Sequence, residues 1–261
     1  MTRVRFAPSP TGSLHIGNAL SAAANRRVGD WMLLRIDDTD PARNLPGGEA
    51  EILRDLEWLG IEPDEGPVRQ SERQQRYREE GERLGARFDG ITLVRDDGTA
   101  TYHLASVVDD VDFGITHVVR GNDHRPNEAL HRRLFEALGA RPPEFIHHGL
   151  LLGPDGKKLS KRAEGATVAS LRDAGIPGEA VGAYLEELGL PRHDVRLDLP
   201  RIRRLSIEAI ERMGDEELAS RAGMPVSAVP DPGPIAEPET LVRFRELAGD
   251  GLDAKGIVRE L

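Results

Sequence analysis

Apolar and polar positions alternate at the start of the chain, where Val4 and Phe6 share one face of a short segment predicted to be a strand. The strand runs into APSPTGSLHIGN, whose two prolines and two glycines force a loop before the Ala-rich stretch from Ala19 to Ala24 turns helical. A second apolar run, WMLLRI (31–36), is followed by the acidic DDTD and a helix over about Pro46 to Leu59, with Ile52, Leu53, Leu56 and Leu59 on one face. Residues 71–87 are highly charged and predicted helical, and FDGITLVRDDGT is predicted as a strand closing on a turn at Asp97-Gly98. TYHLASVV (101–108) and ITHVVR (115–120) are both expected to be strands, ahead of a helix striped by Leu130, Leu134 and Leu138.

Strands alternating with helices predict an α/β fold, a parallel sheet covered on both faces that gathers ligands at the carboxyl ends of its strands. Beyond Arg162 the pattern is expected to be helices alone, at 167–174 and at 179–188 with Ala180, Val181, Tyr184, Leu185 and Leu188 inward. A domain boundary is therefore placed near 163–166, giving a nucleotide-binding domain over 1–165 and a small α-helical domain over 166–261. The Pro-rich VPDPGPIAEPET (229–240) reads as an extended segment, and no internal repeat is visible.

Composition narrows the chemistry. The chain has 261 residues and no cysteine, which excludes disulfides, thiolate zinc sites and cysteine nucleophiles. No apolar run approaches the roughly 18 residues needed to cross a bilayer, and MTRVRFAPSPTG lacks a signal-peptide core, so a soluble, cytoplasmic, monomeric protein with no membrane partner is expected. A net charge of -10 argues against binding nucleic acid by bulk electrostatics, so any RNA contact has to be local. The chain has four lysines, and Lys157, Lys158 and Lys161 crowd one segment; an arginine-rich composition explains scarce lysine but not that clustering.

Three constellations carry candidate chemistry. In PSPTGSLHIGN (8–18) a rigid turn delivers His15 and Gly17 to a helix start, where amides and the helix dipole favour phosphate. His15 can donate to a phosphate oxygen and Gly17 can admit an adenine ring; a helix-capping loop with an incidental histidine is the alternative. GPDGKKLSKR (153–162) concentrates positive charge beside Ser160, suited to a leaving pyrophosphate, against the plainer reading of a solvated turn. Arg5, Asp37, Tyr102 and Arg120 each fall near a predicted strand end; two arginines and a carboxylate together describe a site for an acidic amino acid, although each alone suits a surface ion pair. Eight histidines raise the question of metal, particularly His147-His148 and His117 with His124, but neighbours on a strand face opposite ways and no zinc is expected.

RFAPSPTGSLHIGN, RIDDTD, RQSER, TYHLASVVDD, ITHVVRGNDH and KKLSKR, in that order, resemble the motifs of the class I glutamyl-tRNA synthetase family over about residues 3–190, including its HIGH and KMSKS signatures. The resemblance implies the Rossmann-like fold of class I synthetases, and glutamate and ATP as substrates, with Mg2+ arriving on the ATP. It implies Arg5, Ala7, Ser9, Asp37, Tyr102, Ser106 and Arg120 for glutamate. For ATP it implies Pro8, Thr11, Gly12, His15, Gly17, Asn18, Leu159, Ser160 and Lys161, with His15, Gly17, Lys158 and Lys161 catalytic.

Departures from the family pattern are specific. Asp37 replaces a Glu, Ser106 stands where some members have Asn, and Asn122 replaces the Glu of RGEDH. Only 24 residues separate Tyr77 from Tyr102, where the family inserts a connective domain, so 74–100 is read as its much-reduced form, and no anticodon-binding domain is recognised. Three functions stay open: a glutamate-tRNA ligase-like enzyme, a ligase passing glutamate to a small amine or carrier protein, and a regulatory paralogue without turnover. The small nucleotidyltransferases with HxGH loops explain the fold and ATP, but not RIDDTD or TYHLASVVDD.

Overall fold

The computed structural model describes residues 1–214 apart from 158, 161, 162 and 164, together with 216, 217 and 220. The Pro-rich segment at 229–240 lies outside the described residues. Strand β1 (Arg3–Phe6) leads through the Pro-rich loop into helix α1 (Ile16–Val28), and β2 (Trp31–Ile36) into α2 (Gly48–Trp58). A third strand, β3 (Glu65–Arg69), was not signalled by the hydrophobic pattern, since EGPVR has neither alternation nor an apolar run. The three strands are parallel in the order β1-β2-β3.

Helix α3 (Gln74–Leu84) precedes a small antiparallel hairpin, β4 (Arg87–Phe88) and β5 (Ile91–Thr92). The turn expected at Asp97-Gly98 is present: Asp97 accepts from the Thr99 amide at 2.9 Å and its hydroxyl at 2.6 Å, and Gly98 takes the positive φ of 81° that its missing side chain permits. TYHLASVV is not a strand; Thr101 is the N-cap of helix α4 (Tyr102–Asp112) and the rest lies within that helix. A short apolar run buried on nearly every side has no period that separates helix from strand, and here Leu104, Ala105, Val107 and Val108 are all buried.

The parallel pair β6 (His117–Gly121) and β7 (Glu144–His148) flanks helix α5 (Glu128–Ala137). Thr116 bonds Arg3 through both its amide and its hydroxyl, so this pair stands beside β1. Next come β8 (Leu151–Leu152), α6 (Val168–Asp173), α7 (Gly178–Leu188), β9 (Val195–Arg196) and α8 (Leu199–Glu211). The expectation of helices alone past Arg162 is corrected by β9, which pairs in parallel with β8.

Val4 and Phe6 of β1, Ile16 and Leu20 of α1, Val168, Val181 and Tyr184 share one apolar cluster. Each fully buried aliphatic side chain there is worth about 1.5–3 kcal/mol over exposure, so the helices after residue 166 are anchored on the sheet domain's own core. A second cluster joins Tyr77, Leu93, Leu104, Val108, Leu134 and Phe135, packing α3, α4 and α5 together.

Candidate active site

The carboxyl ends of β1, β2 and β6 and the first turns of α1 and α4 enclose a cavity of about 810 Å³. The loop along one side is held by Asp55, fully buried on α2, which accepts from the Ser13 hydroxyl and the Leu14 amide at 2.7 Å each and from Arg172 at 2.8 Å. Gly48 brings α2 so close that a Cβ there would sit 2.3 Å from the Pro10 carbonyl oxygen. Loop, α2 and α6 are therefore clamped together before any ligand arrives.

His15 caps α1. Its Nδ1 accepts from the Gly17 amide at 3.2 Å, which leaves Nε2 as the protonated nitrogen, and that group faces the Leu159 carbonyl at 3.1 Å. The histidine thus ties the helix start to the lysine-bearing segment. Lys158 and Lys161 themselves lie outside the described residues.

Pro8, Thr11, Asn18 and Leu159 line the cavity with His15 and Gly17, and Arg5, Ala7, Ser9, Asp37, Tyr102 and Arg120 line it from the strand ends and α4. Gly12, Ser106 and Ser160 are outside the lining. Ser106 is buried on α4, where its hydroxyl accepts from Arg35 Nη2 at 3.3 Å, so its contact is with that arginine and not with the cavity.

Arg35, which the sequence reading passed over, is the centre of the electrostatics. It is 0 % exposed and donates to both oxygens of Asp37 (2.7 and 3.2 Å) and to Asp110 (2.9 Å), with Asp109 at 3.6 Å. Burial works against its charge, but Asp37, Asp110 and Asp109 outweigh that and hold its pKa well above the ordinary value. Burial likewise pushes the Asp37 carboxyl up while Arg35 pulls it back. Arg5 places Nε 3.2 Å from each oxygen of Asp110, and Arg73 and Tyr77 donate to Asp109. The signal for this network was the acidic pair Asp109-Asp110 inside an apolar segment, since buried carboxylates require partners.

Arg120 differs from these. It is 6 % exposed and its direct contacts are to uncharged rings: Nε points to His147 Nε2 at 3.4 Å, Nη1 to His131 Nδ1 at 3.5 Å, and the guanidinium lies 5.1 Å from the Phe145 ring centre, while Asp110 and Arg5 act on its charge from further off with opposite signs. The Tyr102 hydroxyl faces it as well. Its Nη2 is buried without a hydrogen-bond partner.

His147 and His148 do face opposite ways from β7: His147 towards Arg120 and Glu128, His148 towards α1, where Ser21 lies 2.9 Å from its Nε2. His117 pairs with Glu144 and His124 lies near Tyr102, so those two serve different neighbours. Asn122, the departure from RGEDH, donates to Asp194 at 2.8 Å, and Asp194 also takes the Leu150 amide, joining the end of β6 to the segment before β9. Among the described residues no three His, Asp or Glu side chains are grouped to hold a metal ion, and no helix is long and apolar enough to cross a membrane.

Burial pushes His147 down to about 4 and His131 to about 2, with Arg120 adding to both effects, so both are neutral when folded. Between an unfolded value near 6.5 and these folded values the unfolded chain binds more protons, so stability falls as pH drops. The melting temperature is therefore expected to decline from about pH 6.5 to pH 4, and H147Q to flatten that decline. A melting temperature unchanged across this window would contradict the assignment.

A parallel sheet flanked by helices, with its first loop leading into a capped helix and a cavity at the carboxyl ends of its strands, defines a Rossmann-like α/β protein. The chain belongs to the tRNA synthetases class I (E and Q) catalytic-domain family, whose model matches residues 1–87 and 85–199. It is 41% identical over 248 residues to glutamate--tRNA ligase 1 of Rubrobacter xylanophilus, covering 79% of this chain and 58% of the relative. It is 36% identical over 264 residues to glutamate--tRNA ligase of Akkermansia muciniphila, covering 80% of this chain and 61% of the relative. Among solved structures it resembles a glutamate tRNA ligase from Elizabethkingia meningosepticum in complex with its amino acid, at TM-score 0.72 and 25% identity, over 99% of this chain and 79% of that one. The chain thus spans about three fifths of the length of the two curated relatives.

Proposed function

We propose that the chain activates glutamate with ATP and passes the glutamyl group to tRNA. The observation that carries this reading is Arg120, buried on the cavity wall with Nη2 unpartnered and Arg5 nearby. Such a pair is suited to a side-chain carboxylate, which both arginines can meet by charge-assisted hydrogen bonds. Asp37, held by Arg35, lines the same cavity and offers negative charge to an α-ammonium.

In the reaction an oxygen of the glutamate α-carboxylate attacks the α-phosphorus of ATP, and the bond to the bridging oxygen of pyrophosphate breaks. No side-chain nucleophile takes part; rate comes from positioning and from stabilising charge on the leaving phosphates. His15 contributes an oriented Nε2 proton, and Lys158 and Lys161 supply positive charge. Magnesium enters as the counterion of ATP. The helices after residue 166 are assigned to the acceptor's stem.

A non-tRNA acceptor, a small amine or carrier protein, is the second reading. It is favoured by the short segment at 74–100, which builds only helix α3, the β4–β5 hairpin and the turn at Asp97, too little to grip an acceptor end. Pyrophosphate exchange with single amino acids, run with and without total tRNA, tests the activation step. Exchange is expected with glutamate and not with glutamine; its absence under both conditions would sink the enzyme reading. Retention of labelled glutamate on acid-precipitated RNA then supports tRNA as acceptor, and its loss favours the second reading.

A further inference from the structure

The buried arginines around the cavity are held in two different ways. Arg35 is ion-paired with Asp37 and Asp110, and Arg5 meets Asp110 through its Nε. Arg120 has no carboxylate within ion-pairing distance among the described residues, and Asp110 reaches it only from further off; its contacts are His131, His147 and the Tyr102 hydroxyl, and its guanidinium lies over Phe145.

The proton positions follow from the chemistry. A guanidinium only donates, so His131 Nδ1 and His147 Nε2 must both be unprotonated acceptors. His131 then carries its proton on Nε2, which faces His103 Nδ1 at 3.1 Å, and His147 carries its proton on Nδ1, 3.5 Å from Glu128 Oε2. Each imidazole is held in one neutral tautomer by the next group out, and the nearest balancing carboxylate beyond His147 is a full ring away from Arg120. Burial disfavours the charged form of both rings.

We propose that His131 and His147 are positioning residues that aim Arg120 into the cavity through neutral acceptors, leaving it without a carboxylate ion-paired to it so that the site selects a substrate carboxylate over the corresponding amide. The selection rests on the glutamate reading above. A carboxylate in place of either imidazole would hold the guanidinium as firmly but would neutralise it, and the substrate would then compete with an internal ion pair. Arg5, which disfavours the charge on Arg120, adds to the demand for an anion between them.

The test is calorimetric titration of the full chain with glutamate, glutamine and ATP separately, on the unaltered protein and on H131Q, H131L and H131E. Glutamine at 131 keeps a neutral acceptor and is expected to hold glutamate affinity within about threefold. Leucine removes the acceptor and is expected to weaken glutamate about tenfold or more, with ATP affinity unchanged. Glutamate at 131 is expected to weaken glutamate at least as much and to erase its preference over glutamine. Equal glutamate affinity in H131L and the unaltered chain overturns the inference, as does a parallel loss of glutamate and ATP affinity, which marks His131 as merely structural. H131E that keeps the full preference also overturns it. If the unaltered chain shows no saturable glutamate binding while it binds ATP, the glutamate reading fails and this inference falls with it.

Discussion

R120L should lose glutamate-dependent pyrophosphate exchange by about two to three orders of magnitude in kcat/KM, because truncating one partner of a buried charge pair costs about 2–5 kcal/mol. The loss should fall mainly on KM for glutamate, with KM for ATP nearly unmoved, since Arg120 sits at the end of β6 and the residues assigned to ATP lie along the α1 loop. The substitution removes a buried group already short of a partner at Nη2, so folding should tolerate it. R120K is expected to recover little: an ammonium cannot reproduce a fork that meets two imidazoles and a ligand in one plane. Exchange measured over a range of glutamate concentrations, beside a thermal melt, decides it. A glutamate KM within twofold of the unaltered chain would remove Arg120 as the anchor.

The largest effect on stability belongs to Asp110. It is buried at the end of α4 and receives Arg5 and Arg35, so D110A strands two guanidinium groups that have little water to turn to. Breaking a buried pair in this way costs about 3–5 kcal/mol. For a chain of this size that is a fall of roughly 6–20 °C in melting temperature. R54A makes the comparison, since Arg54 is 61% exposed and pairs with Glu51 on the surface of α2; such exposed pairs contribute about 0–1 kcal/mol. Urea unfolding of both variants checks the contrast, and a D110A cost no larger than that of R54A would show that the buried network is not what holds α4 to the strand ends.

The same network explains which parts of the site could be read early. Residues with a short-range signature were legible: the Pro-rich loop, His15 at a helix start, the turn at Asp97-Gly98 and the apolar stripe of α5 all follow from bonds made within a few residues. TYHLASVV carries no period that separates helix from strand, because Leu104 to Val108 of α4 are all buried. Strand β3 escapes because EGPVR carries charge, Gly and Pro where apolar residues would have marked it, whereas β7 is expected only from the placing of His147 and His148 on a strand.

By itself the sequence determined most of the alternation of strands and helices, the position of the Pro-rich loop ahead of α1 and the presence of Arg5 and Arg120 at the ends of strands, since each is set by local periodicity, turn chemistry or residue type. Only the tertiary structure decided what those arginines are free to do. Arg5 and Asp37 are drawn into a buried ion network through Arg35, Ser106 accepts from that arginine, and Arg120 is left among neutral rings. A charge's partners come from segments more than 70 residues away, as Asp110 does for Arg35, and in a low-dielectric interior the choice between a carboxylate and an imidazole sets whether a cation is spent or available.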